Sequence, residues 1–391
     1  MKKPFLSKPV LILSLVSFFN DVASEMLYPV LPIFLQSAGF SVLYIGILEG
    51  IAEAAAGLSK GYFGRWSDFT GRRVPFIRWG YALSAIAKPM MVMVVHPLWI
   101  LMSRTLDRLG KGLRTGARDA LLADQSDEVY RARVFGFHRS MDTLGAVLGP
   151  CLSLLFLYFF PGKYRELFFM AFIPGILAVS LTFLLKDKKE HKNFVKKTPG
   201  AFFSFLNYVK NAPKQYKLLL AGLIWFALFN SSDVFLILKL KDLGWSDFSI
   251  VGVYVFFNLM YAVFAFPFGI LADRLGVKRI FVGGLIIFSL VYAGMGWVHN
   301  KFLIIGLFIL YGLYSAATEG IGKAWISLLV DSKDRATAIG SYAAFQSVAM
   351  MMAGALTGVL WQFFGPHIAF MTSSLMALLV AVYLTLTVQT R

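Results

Sequence analysis

Long apolar blocks separated by short polar breaks run along the whole chain, from Leu11 to Thr387. Set against glycine, proline and charge signals, they predict helices at 9–36, 42–64, 74–95, 97–122, 132–160, 165–186, 215–240, 248–271, 276–298, 301–330, 336–363 and 366–388. A hydrocarbon core about 30 Å thick is crossed by about 20 apolar residues in a helix, so each block is long enough to span it. The apolar residues show no period-2 alternation, which argues against a transmembrane β-barrel. The expected fold class is therefore an all-α polytopic membrane protein with 12 transmembrane helices. Composition agrees: 58% of the 391 residues are hydrophobic and 15% are charged, a balance that a water-soluble domain could not cover with polar surface.

The polar breaks alternate in charge. Lys2, Lys3 and Lys8, then Arg65, Arg72, Arg73 and Arg78, then Arg131 and Arg133, then Lys186 to Lys197, then Arg274, Lys278 and Arg279, and finally Lys333 and Arg335 occupy every second break. The breaks between them carry few charges, apart from Lys163 and Arg165. By the positive-inside rule both termini are cytoplasmic, and an inner (plasma) membrane location is expected. The same distribution explains the formal charge of +17 without nucleic acid, because the basic residues sit between apolar blocks and form no face of a soluble fold. The first residues have the basic and apolar regions of a signal peptide, with Val22-Ala23-Ser24 as a passable cleavage site. The apolar stretch resumes after Asp21, however, and reads as a retained first helix. Cys151 is the single cysteine, so neither a disulfide framework nor a cysteine metal cluster is expected.

The longest polar interruption, Lys186 to Lys217, divides the chain into a bundle at 1–186, a cytoplasmic linker at 187–214 and a second bundle at 215–391. Within the linker, Phe202, Phe205, Leu206 and Val209 have the spacing of a short helix on the membrane surface. The two halves repeat each other at a shift of about 205 residues. Phe19 and Asn20 pair with Phe229 and Asn230; Gly39 to Ser41 pair with Gly244 to Ser246. Gly64, Asp68, Gly71 and Arg73 pair with Gly269, Asp273, Gly276 and Arg279. Gly110, Lys111 and Asp124 pair with Gly322, Lys323 and Asp331; Arg131, Ala132 and Gly136 pair with Arg335, Ala336 and Gly340. Six spans repeated in one orientation suit a substrate site near the membrane midplane.

The loop carried by Gly64, Asp68, Gly71, Arg72 and Arg73 resembles the signature GxxxDxxGRR of the major facilitator superfamily, and a second copy runs through Gly269, Asp273, Arg274 and Gly276. The resemblance implies two six-helix halves related by pseudo-two-fold symmetry, and makes these nine residues a candidate cytoplasmic gate. Arg104, Asp107 and Gly110 resemble the RxxQG element of the fourth span, with Asp107 in place of glutamine. Gly136, Gly145, Gly149 and Pro150 resemble the fifth-span element of antiporters, with Ser153 and Leu154 where a glycine pair closes it. Pro29 and Pro32 resemble the PxxP end of the first span of proton-coupled exchangers. Together these imply a monomeric secondary transporter in the lipid bilayer, working by alternating access on a small-molecule substrate. The proton gradient is its energy source, no other cofactor is implied, and proton-coupled export is the expected direction. Proton-coupled uptake of an anionic metabolite and divalent-metal transport are the alternatives within transport. A membrane receptor or lipid-acting enzyme is the alternative outside it, although the chain has no GxSxG, HExxH or GxxxxGK[ST] element.

Ionisable residues inside the apolar blocks cost at least about 2.5–3.5 kcal/mol each, so they are site candidates or halves of buried pairs. Asp21, Glu25, Glu53, Asp107, His138 and Asp142 are the proton-coupling candidates. Asn20, Glu49, Arg104, Arg108, Lys111, Arg139, Asn230, Asp233, Glu319 and Gln346 are the substrate-binding candidates. Arg104, Asp107, Lys111, Arg114 and Arg118 form one stripe at helical spacing. Either the acids relay protons, or they neutralise the neighbouring cations and hold the bundle together. Glu319 and Lys323 are spaced to pair. A metal site has Asp, Glu and His in support, but no cysteine and no close histidine pair. Charge is concentrated in the first half, which assigns coupling there and substrate discrimination partly to the second.

Overall fold

The computed structural model describes residues 6–28, 30–40, 42–187, 203, 205–231, 233–245 and 247–389. Among these residues the regular elements are all helical: α1 (Lys8–Glu25), α2 (Val30–Ser37), α3 (Val42–Thr70), α4 (Val74–Met93), α5 (Pro97–Asp124), α6 (Arg131–Phe159), α7 (Tyr164–Thr182), α8 (Phe205–Asn211), α9 (Lys214–Phe229), α10 (Asp233–Asp242), α11 (Asp247–Leu275), α12 (Val277–Trp297), α13 (Lys301–Leu329) and α14 (Arg335–Thr387), with 3₁₀ turns at Glu128–Tyr130 and Ser332–Asp334.

The predicted first and seventh spans are each interrupted. α1 gives way at Met26 to Tyr28 before α2, and α9 gives way at Asn230 and Ser231 before α10. Pro29 follows the first break, and the residue before a proline is pushed out of the α region; Pro29 itself lies outside the described residues. The eleventh and twelfth spans run together as α14, divided at Gly365, whose φ of 83° and ψ of 167° are non-helical. By length and apolarity, α6, α7 and α11 to α14 qualify as membrane spans. α5 falls outside that standard because of its polar stripe, and α9 because the break leaves it 16 residues long.

The packing repeats as the sequence does: α5 lies against α3 and α4, and α13 lies against α11 and α12. Lipid tails compete with apolar side chains for contact, so close backbone approach between small residues does much of the joining. At the α4–α5 crossing, a Cβ on Gly80 would stand 2.7 Å from the Gly110 carbonyl, and one on Gly110 would stand 2.5 Å from the Gly80 carbonyl. A side chain on either would separate the helices. Asn300 opens α13, its side chain accepting from the backbone N–H of Phe302 (2.9 Å) and Leu303 (3.3 Å), which satisfies two otherwise orphaned donors.

The chain packs as two compact units that exchange short pieces. Unit 1 contains residues 1–127, 141–211 and 331–344; unit 2 contains 128–140, 212–330 and 345–391. The start of α14 thus belongs with the helices of the first half, and the start of α6 with those of the second. Helix α8 is shorter and more firmly held than a surface helix would be. Phe205 is buried against the face of α3 that Gly61 leaves open, whereas Leu206 is exposed. Phe202 lies outside the described residues.

Candidate functional site

The two signature loops do the same work in their respective units. In unit 1, Asp68 accepts hydrogen bonds from the backbone N–H of Ala336 (3.3 Å) and Thr337 (2.5 Å) and from the Thr337 hydroxyl (2.6 Å). A carboxylate thereby caps the positive N-terminal end of α14. Arg73 forms an ion pair with Asp68, lies 3.8 Å from Asp124, and donates to the Ser332 carbonyl at 3.3 Å. Arg335 closes the ring on Asp124 at 2.6 Å. In unit 2, Asp273 accepts from the backbone N–H of Ala132 (2.9 Å) and Arg133 (3.0 Å), capping α6.

Glycines allow both approaches. A Cβ on Gly64 would meet the Ala336 carbonyl at 2.3 Å and one on Gly340 the Lys60 carbonyl at 2.4 Å; the counterparts Gly269 and Gly136 would meet the Ala132 and Ala265 carbonyls at 2.7 and 2.5 Å. Gly71 (φ 63°) and Gly276 (φ 97°) supply the left-handed turns that follow. Arg72 and Arg274 are exposed, so within each loop the aspartate and the glycines make the contacts.

A second network fills the interior of unit 1. Ser17 donates to Asp142, Arg118 donates to Ser17 at 3.0 Å and to Asp119 at 2.9 Å, and Arg118 lies 3.9 Å from Asp142. Asp21 has Asp142, Glu25 and Lys111 as its charged neighbours. Asn20, itself buried, donates to Asp21 at 3.1 Å. The close approach of α1 and α6 places these groups: a Cβ on Gly145 would stand 2.5 Å from the Phe18 carbonyl, and one on Gly149 would stand 2.8 Å from that of Val22. Ser153, where the antiporter pattern has glycine, donates to the Met26 carbonyl at the end of α1.

Two other first-half acids, Asp107 and Glu53, are matched by cations. Asp107 lies 3.2 Å from Arg104 and 3.7 Å from Lys88, and Glu53 lies 3.3 Å from Arg108. Lys88, not anticipated from sequence, is only 2% exposed and donates to the Ser84 carbonyl at 3.0 Å. Its isolation in an apolar block was the available signal, since a buried charge needs a partner. Asp119 was likewise missed. Glu49 belongs to α3, but its side chain is outside the described residues. His138 is buried and lies in unit 2, whereas Asp142 lies in unit 1.

In unit 2, Asp233 accepts from the Tyr311 hydroxyl at 2.6 Å, and Asn230 donates to the Tyr314 hydroxyl at 3.3 Å. Arg139 donates to Tyr261 and lies 3.9 Å from Glu319, which is how the structure engages Glu319. Gln346 is half-buried. A separate 540 Å³ cavity between α1, α6 and α7 is lined by apolar side chains such as Phe18, Met26, Leu152, Phe156 and Ile173, and includes none of the acids. Among the described residues no group of three His, Cys, Asp or Glu could hold a metal ion.

Membrane-length helices repeated in two sets, a doubled signature loop and buried charge are features expected of a membrane transporter. A profile of the Major Facilitator Superfamily matches residues 13–260 and 240–391, and the chain belongs to that family. It is 31% identical over 380 residues to an uncharacterised MFS-type transporter of Methanocaldococcus jannaschii, covering 96% of this chain and 93% of the relative. It is 26% identical over 357 residues to a multi-drug resistance efflux pump PmrA homolog of Lactococcus lactis, covering 87% and 85%. Its fold is similar to that of the human organic anion transporter MFSD10, at a TM-score of 0.82 and 15% identity over 97% of this chain and 100% of that one.

Proposed function

We propose that the protein is a proton-coupled exporter of a small organic solute, in which a proton shared by Asp21 and Asp142 is exchanged for substrate during alternating access. The observation that carries this reading is the proximity of the two carboxyl groups. Two neighbouring carboxylates repel each other unless a proton lies between them, and such a pair takes up and releases that proton as a unit. Ser17 and Arg118 hold Asp142 in place, and Asp21 carries the exchangeable proton. Asp107 and Glu53, each next to an arginine, serve as structural partners of those cations. Glu25, a charged neighbour of Asp21 in the same unit, is a secondary member of the route, and His138, which belongs to unit 2, is left out of it. The outward direction draws on the α1–α6 glycine contacts, which resemble the antiporter element, and on the similarity to the efflux pump homolog. The loops around Asp68 and Asp273 act as the cytoplasmic gate, with both chain termini on that side of an inner membrane.

Purified protein in liposomes, with a pH gradient imposed and a panel of amphipathic solutes added, tests the reading. Substrate should drive proton movement in the opposite sense, and Asp21→Asn and Asp142→Asn should each abolish it. Substrate flux indifferent to the gradient, or full coupling in both variants, would refute it.

A further inference from the structure

We infer that unit 2 holds a binding site for a protonated primary or secondary amine with an aromatic-sized apolar body, centred on Asp233. The inference rests on the transport reading above and specifies its substrate. In contrast to the paired acids of unit 1, Asp233 forms no ion pair with any described lysine, arginine or histidine; its charged neighbour is another acid, Glu319. Nor does Asp233 cap its own helix: its carboxylate engages the Tyr311 hydroxyl. A carboxylate within a membrane-spanning bundle calls for a countercharge, and here the fold provides a hydroxyl and aromatic rings in its place. Tyr311 stacks on Phe257 with centroids 4.9 Å apart and on Tyr314 at 5.4 Å, and Tyr292 lies 6.2 Å away.

The neighbouring polar group points the same way. Asn230 spends its amide N–H on Tyr314, and its Oδ1 is buried and accepts no hydrogen bond. The site thus presents a negative charge, an idle acceptor and ring faces, and an ammonium group supplies what each lacks: positive charge, N–H donors and a cation for the π surface. Both Asp233 and Asn230 are half-buried, and Tyr254, whose ring lies 5.9 Å from that of Phe257, is exposed at the margin. Asp233 and Asn230 therefore keep part of their surface open, and the covered Asn230 Oδ1 is engaged only as a ligand enters the cluster. The break between α9 and α10 produces this arrangement, because it turns Asn230 and Asp233 out of one continuous helical register. An organic anion would meet the like charges of Asp233 and Glu319, while Arg139 is directed at Glu319 and Tyr261.

The test uses the full-length protein in lipid nanodiscs, with no gradient present, and three probes sharing one body: 4-phenylbutylamine, 4-phenylbutanol and 4-phenylbutyrate. The amine should bind about tenfold more tightly than the alcohol, as one desolvated cation–π and carboxylate contact implies, and the acid should bind weakest. Asp233→Asn should reduce amine affinity about tenfold while leaving the alcohol unchanged, and Asp233→Glu should restore most of it. Equal or tighter binding of the alcohol or the acid by the native chain overturns the inference, and so does undiminished amine binding in folded Asp233→Asn. The native series alone decides the matter if that variant does not fold. Amine binding without proton movement in liposomes would defeat the coupling reading and leave this one intact; proton movement driven only by other solutes would do the reverse.

Discussion

Replacing Asp68 by alanine removes three acceptor contacts at the start of α14 and the carboxylate facing Arg73. Loss of a helix N-cap costs about 0.5–2 kcal/mol, and removing one partner of a buried ion pair costs about 3–5 kcal/mol. The two are one event at Asp68 and do not add. Arg73 also keeps Asp124 at 3.8 Å and the Ser332 carbonyl at 3.3 Å, so the lower end applies, about 3 kcal/mol, or a shift on the order of 100-fold in the local opening equilibrium. Asp273→Ala removes two cap bonds and a looser contact, with Arg133 at 3.7 Å, and should cost about 1–2 kcal/mol, roughly tenfold. Amide hydrogen exchange read on peptides covering 331–344 and 128–140 reports each opening separately. Asp68→Ala should accelerate exchange near Ala336 and Thr337 and leave Ala132 and Arg133 slow, with Asp273→Ala giving the converse at smaller amplitude. Unchanged protection at Thr337 in Asp68→Ala would refute the capping argument, and acceleration of both segments by either variant would refute its locality.

The glycines of α14 offer a comparison within one helix. Gly340→Ala places a methyl group against the Lys60 carbonyl, 2.4 Å away, and should lower stability by about 1–3 kcal/mol. At Gly354 a Cβ meets nothing within 4 Å, so Gly354→Ala should be neutral or raise stability by about 0.5–1 kcal/mol; thermal melting in detergent decides, and an equal fall in Tm for both would count against the close-approach reading. Lys88→Met removes a countercharge of Asp107 and should destabilise by about 3 kcal/mol, with Lys88→Met/Asp107→Asn recovering a good part of it. A double variant no more stable than Lys88→Met would show that the pair is not coupled.

Much of this architecture is legible in the sequence because the forces that set it are local or repetitive. Apolar length fixes the spans, loop arginines fix an expected orientation, and the doubled Gly64–Asp68 and Gly269–Asp273 pattern marks two loops that prove to make equivalent contacts. The partners of those aspartates were not legible: nothing near position 68 indicates that its carboxylate caps a helix starting at Arg335. The matched blocks at Ala132 and Ala336 were visible as a repeat, yet only the fold reveals that each serves the other half's loop. The pairing of charges was equally hidden. Helical spacing offers Lys323 to Glu319, whereas the structure places Arg139, from a distant helix, 3.9 Å away. Lys88 meets Asp107 across a helix crossing made close by Gly80 and Gly110. Asp233 looked like one more embedded acid, and that it engages Tyr311 and forms no ion pair with any described lysine, arginine or histidine emerges only from the fold.

The exchange of short pieces between the units also sets a timetable for synthesis. Asp68 is made 269 residues before its partner Thr337, which at about 5–20 residues per second is a wait of roughly 15–50 s. Through that interval the first six spans lie in the membrane with the Gly64 face uncovered and the Asp68 carboxylate paired with Arg73 but capping no helix. The first half of this chain is therefore born with a vacancy that only the eleventh span can fill, and a ribosome that stalls in the linker leaves behind a bundle marked as incomplete.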